Sequence, residues 1–443
     1  MTITEHIANQ APQERKQMII DVFTHAFHES GGANEDAWRI KFRKMAASPF
    51  AFYRGSASLF YTDLVQDDDP FLNQKTSRVW VHGDLHAENF GTYMNSEGVL
   101  VFDVNDFDEA DVAPFTWDVK RLVASLDLIG YQKALSDDEI RQMITTLVRH
   151  YIEQIAVFTQ PGAPADFALT LDNTSGKLLE TLQDARMHTR IGLLEANTYV
   201  ENYERRFTHD TVRQAVDEET ARHIHAAFEQ YLETIPKQKR SGHTQSYRVK
   251  DIVLRRAVGI GSAGLPSYTL LLEGPTQALE NDILLFMKQG QQAALSQFIT
   301  DPEIRNAFRH HGHRTVVSQL ALQAHTDRWL GYTTLRGIGQ LVDEVSPYEV
   351  DLDWEEINTF DEIIEVLGYL GQATAKIHSV SDEESEQNLV STSVEHAIHE
   401  AIGGREEDFV QTMVNFGQQY GAIVRNDYRL FVDAFRNHQI MGL

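Results

Sequence analysis

Residues 81–108 read VHGDLHAENFGTYMNSEGVLVFDVNDFD. An apolar stretch at 78–82 ends in His82-Gly83-Asp84, and Asn89 follows five residues after Asp84. A second apolar stretch at 99–104 carries Asp103, with Asp106 and Asp108 close behind it. Both stretches read as strands, with Asn95-Ser96-Glu97-Gly98 as the turn between them. A carboxylate directly after a strand is well placed to accept a hydroxyl proton. An amide and further carboxylates can hold Mg²⁺ on phosphates. This inventory predicts phosphoryl transfer from ATP, with Asp84 as base and Asn89, Asp103 and Asp106 as metal ligands. Pairing of the two strands as a hairpin would bring Asp103 beside Asp84.

Composition narrows the setting. A chain of 443 residues is too long for one small core, so two lobes are expected. Hydrophobic residues make up 42% and no apolar run reaches the length of a membrane span, which argues against a transmembrane protein. The first residues, MTITEHIANQAPQERKQ, lack the apolar core of a signal peptide, so a cytoplasmic location is expected. With no cysteine, disulfides, thiolate catalysis and zinc-thiolate sites are excluded. A formal net charge of −26 argues against general binding to nucleic acid or anionic membranes. It does not forbid ATP, which arrives with Mg²⁺ and needs only a local positive pocket.

Along the chain, helices are expected at 12–30, 115–131, 136–160, 212–235, 292–300, 314–326, 360–379 and 407–440. Strands are expected at 252–258, 267–273, 283–288 and 339–345, and the proline in 48–55 breaks the helical pattern there. The basic stretch 236–247, PKQKRSGHTQSY, is the best domain boundary, and 381–388, SDEESEQN, reads as an acidic solvated loop. His82 and His86 have the i,i+4 spacing of metal ligands, but a loop removes its helical meaning, and His82 is expected to order the loop.

Gly259, Gly261 and Gly264, with Ser262 between, form a GxGxxG between two strands rather than before a helix. That arrangement suits a loop covering phosphates, because glycines let backbone N–H groups approach closely. Lys288 ends an apolar strand 24 residues after Gly264 and would bind the α and β phosphates. An acidic partner on the following segment is expected, yet 289–299, QGQQAALSQFI, contains none; Glu303 is the nearest substitute.

The 81–108 stretch resembles the catalytic segment of aminoglycoside phosphotransferases and of the wider protein-kinase-like superfamily. The resemblance implies Asp84 as catalytic base, Asn89 and Asp103 as metal ligands, Asp118 as a brace for the catalytic loop, and Gln297 where an acid normally pairs with Lys288. A more specific resemblance is to the bacterial domain-of-unknown-function family 2252. It rests on SPFAFYRG (48–55), GDLHAENFG (83–91), FDVNDFDEA (102–110), WDVKRL (117–122), GIGSAG (259–264), LQAHTDRWLGY (322–332) and LGQATAKIHS (370–379).

The order of these parts is reversed relative to ordinary kinase-like enzymes, since the HGD loop precedes the glycine loop. The implied fold is α+β and two-lobed, protein-kinase-like and circularly permuted, with a mainly helical large lobe and a small antiparallel-sheet lobe. Expected divisions are an N-terminal helical segment (1–75), a catalytic lobe (76–245), a nucleotide-binding lobe (246–346) and C-terminal helices (347–443). Glu344, in 341–345, would lie at the linker beside the adenine. His378 would pack near the catalytic loop. Arg54 either stabilises phosphate charge or pairs with an aspartate nearby, and Asp106 and Asp108 bind a second metal or a basic substrate. His86 is a further candidate of structural or substrate-binding role. ATP and Mg²⁺ are the expected cofactors, acting on an unidentified hydroxyl acceptor. Nucleotidyl transfer and a silent nucleotide sensor are the alternatives.

Overall fold

The computed structural model describes residues 2–29, 35–164, 166–235, 247–256, 265–380 and 388–443. The glycine loop with Gly259, Gly261, Ser262 and Gly264, the linker at 236–246 and the acidic loop at 381–387 lie outside the described residues.

Helix Phe115–Gln132 is buried along almost its whole length; Asp137–Phe158 and Glu406–Arg436 pack against it and each other, and Phe360–Ser379 packs on Asp137–Phe158. Asp137–Phe158 and Phe360–Ser379 each start at a capping box, Ser136 with Glu139 and Thr359 with Glu362, which satisfies backbone donors that would otherwise be orphaned. The N-terminal helix Pro12–Glu29 buries Ile19 and Phe23, four residues apart, against Phe42 and Phe431. One continuous apolar core runs through all of these elements.

The second body is a six-stranded antiparallel sheet. Its spatial order is Gly331–Leu335, Ile338–Glu344, Ile283–Gln289, Pro266–Leu272, Val249–Arg256, Arg213–Ala215. Alternation of side chains along a strand feeds two faces. Ile252, Leu270, Leu285, Met287 and Val342 join helix Glu218–Leu232 on one face. Val253, Leu271 and Leu284 meet Leu194 and Phe207 on the other.

The structure thus confirms a mixed α+β architecture with antiparallel sheets, and corrects several expectations. Arg213–Ala215 and helix Glu218–Leu232, which precede residue 246, join the six-stranded sheet. Residues 48–55 hold a short helix, Pro49–Arg54, because Ser48 caps it and proline is tolerated in a first turn. The strands at 78–82 and 99–104 do not pair with each other. Val79–Val81 pairs with Asp111–Ala113, while Leu100–Val104 pairs with Phe90–Met94, a strand hidden by its glycine and polar residues.

Candidate active site

The short ribbon of Val79–Val81 and Asp111–Ala113 sets the site. Its register places Val81 opposite Asp111. The loop at 82–89 therefore leaves, and the loop at 105–110 arrives, at the same end. His82 Nε2 bonds the Asn105 carbonyl at 2.7 Å, and Asn105 N donates to the Asn89 carbonyl at 3.1 Å, so each loop orders the other.

Asp118, in the first turn of Phe115–Gln132, accepts from His82 N at 2.6 Å and Gly83 N at 2.9 Å. It braces the loop, and His378 lies behind it, 3.4 Å from Asp118 and bonded to the Tyr151 hydroxyl. Gly83 has φ of +78°, and a Cβ there would lie 2.1 Å from the Glu109 carbonyl oxygen. Only glycine meets both conditions. Gly83→Ala is expected to cost about 1–3 kcal/mol from backbone strain, read as a lower denaturation midpoint.

Asn89 Nδ2 donates to the Asp84 carbonyl at 2.9 Å, which turns the amide oxygen away from that bond. Arg121 Nε donates to Asp84 Oδ1 at 2.7 Å, and its guanidinium stacks over Tyr53 at 4.5 Å. Sequence reasoning passed over Arg121. Its signal was the spacing of three from Asp118 on one helix, which puts both side chains on the same face.

Residues 34–434 match the family described as "Uncharacterized protein conserved in bacteria (DUF2252)". The chain belongs to that family. No curated protein and no solved structure matches it.

The sequence motifs of this family member converge in part. Asp84, Asp106, Asp108, Glu109 and Arg54 line one cavity of about 550 Å³. Asp106 is exposed there and has left-handed backbone angles, φ 59° and ψ 72°. An aspartate held so is uncommon outside turns and functional sites. Desolvation in the cleft, then repulsion from Asp108, raises the Asp106 pKa. Lys288 Nζ reaches Asp108 at 3.0 Å. Desolvation opposes the Lys288 charge, but Asp108 and Asp106 outweigh it and its pKa is raised.

Asp103 does not belong to this cavity. It is 1% exposed and salt-bridged to Lys376. Its strand residue faces the core, and only three residues later does the chain turn into the cleft. Asp103→Asn would strand a buried ammonium, and a loss of about 3 kcal/mol is expected in chemical denaturation.

The first long helix after the Lys288 strand is His311–Leu322; at 292–300, the expected helix, only a short 3₁₀ segment, Ala294–Phe298, forms. Neither carries an acid, and Asp108 supplies the Lys288 partner instead; Glu303 bonds Arg78. Gln297 bonds the Ala294 carbonyl. From His311–Leu322, Arg314 donates to the carbonyls of Asp108 and Ala110 and so pins the 105–110 loop.

His86 is buried, and burial pushes its pKa well below the usual histidine range. Its Nε2 stands 4.0 Å from Asp84 Oδ2, and it packs on Phe50. Arg54 pairs with Glu88, a glutamate rather than the expected aspartate. Glu344 is buried and ion-paired with Arg190, so its carboxylate is already engaged.

Several carboxyls here titrate late. Burial, then Glu349, lifts Asp343 to about 7; burial, then Asp327, lifts Glu344 to about 7; burial, then Asp84, lifts Glu109 to about 7. Unfolded carboxyls titrate near about 4. Between about pH 4 and 7 the folded state therefore binds more protons than the unfolded one, and stability falls as pH rises through that window. The denaturant midpoint is expected to be higher at about pH 5.5 than at about pH 8, each such group contributing at most about 1.4 kcal/mol per pH unit.

Among the described residues no group of three or more His, Asp and Glu side chains forms a metal cluster. Mg²⁺ needs less than that, because one or two carboxylates suffice where phosphates and water complete the shell. Asp106 lines the cavity, whereas Asn89 is buried beside it, does not line it, and is bonded through its amide nitrogen to the Asp84 carbonyl. Repulsion of Asp106 by Asp108 and Asp84 is offset in part by Lys288, and a bound cation would relieve it further.

Proposed function

We propose that this chain is an ATP- and Mg²⁺-dependent phosphotransferase on a two-lobed, circularly permuted kinase-like fold. The observation that carries the reading is the meeting of Asp84 and Asp106 in one cavity, with Asn89 bonded to Asp84 and Lys288 joined to the same acidic loop. Phosphoryl transfer asks the protein mainly for positioning and charge stabilisation.

Arg121 holds Asp84 by Oδ1 and leaves Oδ2 for the acceptor proton. The acceptor hydroxyl oxygen forms a bond to the terminal phosphorus, the bond from that phosphorus to the bridging oxygen breaks, and ADP leaves. Asn89 and Asp106 are the residues that would hold Mg²⁺. When bound, Mg²⁺ would neutralise charge on the phosphate oxygens. Lys288 would exchange its bond to Asp108 for the nucleotide phosphates. The sheet carries Lys288 while the helical body carries both acidic loops, which supports an active site between two lobes despite the reversed chain order.

Calorimetric titration of Mg-ATP tests this. Lys288→Met is expected to raise Kd about tenfold, and Asp106→Asn is expected to remove the Mg²⁺ dependence of binding. Asp103→Asn should bind normally at temperatures where it stays folded. Wild-type protein that binds no nucleotide at millimolar ATP would end the proposal.

A further inference from the structure

The cavity beside Asp84 has a wall that the residues above leave unexplained. Helices Pro12–Glu29 and Glu35–Met45 build it, contributing Asp21, His25, Trp38 and Lys41. Lys41 Nζ sits over the Trp38 ring, 4.8 Å from its centroid. Among the described residues, Lys41 forms no ion pair, although it lines the same cavity as Asp84 and Asp106.

The other cations around the base are committed: Arg121 to Asp84, Arg54 to Glu88 and Lys288 to Asp108. Lys41 alone among these four has no such bond. Its pKa is lowered because desolvation outweighs the attraction of Glu109 and Asp84. A half-buried ammonium with too little compensating charge is stabilised by an incoming anion. An ammonium is a compact charge suited to phosphate oxygens, whose negative charge is greatest on the terminal phosphate of a nucleotide.

We infer that Lys41 is an oxyanion-binding residue of this cavity, taking a terminal phosphate oxygen of the bound nucleotide next to Asp84 and Asp106. The inference rests on the phosphotransferase reading and adds a residue from outside the HGD, DFD and lysine motifs. An anionic oxygen at this point has a second source, a carboxylate or phosphate on the acceptor. ATP and ADP separate the two, because only ATP carries the γ-phosphate and neither brings an acceptor.

The test is calorimetry of Mg-ATP and Mg-ADP on the full chain, as wild type, Lys41→Met and Lys41→Arg. Lys41→Met is expected to weaken ATP about tenfold and ADP less than about twofold, and Lys41→Arg to restore most of the ATP affinity. Equal weakening of both nucleotides, or none, overturns the role of Lys41 on the terminal phosphate. Wild type that binds neither nucleotide overturns the phosphotransferase reading as well. Wild-type binding with an unchanged ATP-to-ADP ratio in Lys41→Met overturns the Lys41 inference alone. If Lys41→Met melts several degrees early, Lys41→Gln, which keeps a polar end, carries the same comparison.

Discussion

Asp84→Asn is expected to lower ATP-dependent turnover about a thousandfold while leaving the Kd of Mg-ATP within about threefold. A positioned base contributes roughly 10²–10⁴ in rate, and an amide of the same shape cannot take the proton. The amide still accepts from Arg121, and the Asp84 carbonyl still accepts from Asn89, so the loop should keep its form. Single-turnover release of ADP, followed beside calorimetric binding, separates the two effects. A variant with near wild-type turnover would exclude Asp84 as base. One that loses binding and turnover together would mark it as a metal or phosphate ligand.

Arg15→Met is expected to cost about 5 kcal/mol in stability. Arg15 is buried and donates to Asp63 and Asp427 at once, with bonds of 2.6 Å to each, while the Tyr420 hydroxyl donates to Asp63 at 2.8 Å. The cluster ties Pro12–Glu29 and Ala57–Leu64 to the long helix Glu406–Arg436. Removing one partner of a buried pair typically costs about 3–5 kcal/mol, and here two carboxylates lose their counter-charge together. Desolvation already raises the Asp427 pKa against the pull of Arg15. In the variant Asp427 loses the pull of Arg15 and should take up a proton more readily, so the loss should be smaller near about pH 5 than near about pH 8. Guanidinium denaturation at the two pH values reads both quantities. A loss under about 1 kcal/mol would show that water reaches the cluster.

Elements with strong period or strong punctuation were legible in the chain. Phe360–Ser379 and Asp137–Phe158 carry long helical patterns behind capping residues, and the apolar runs at 267–273 and 283–288 fall on adjacent strands. Asp84, Asn89 and Asp118 stand out because their spacing is local and the bonds that join them to the 82–89 loop come from the ribbon and the helix after it. Asp103 and Asp106 were not separable by that means. Three residues apart on a strand end, they differ only in which way the chain turns after Val104, and Lys376, far along the chain, claims the first.

The amino-acid sequence by itself determined the long periodic helices and apolar strands, the acidic loops and the absence of cysteine chemistry, since periodicity, turn residues and composition act over short distances. Only the tertiary structure decided which strands pair, which aspartate faces the cavity, and that Arg121, Arg314 and Lys41 stand around it. Those outcomes rest on contacts between segments tens to hundreds of residues apart. Burial and charge pairing across such distances leave no local period to read.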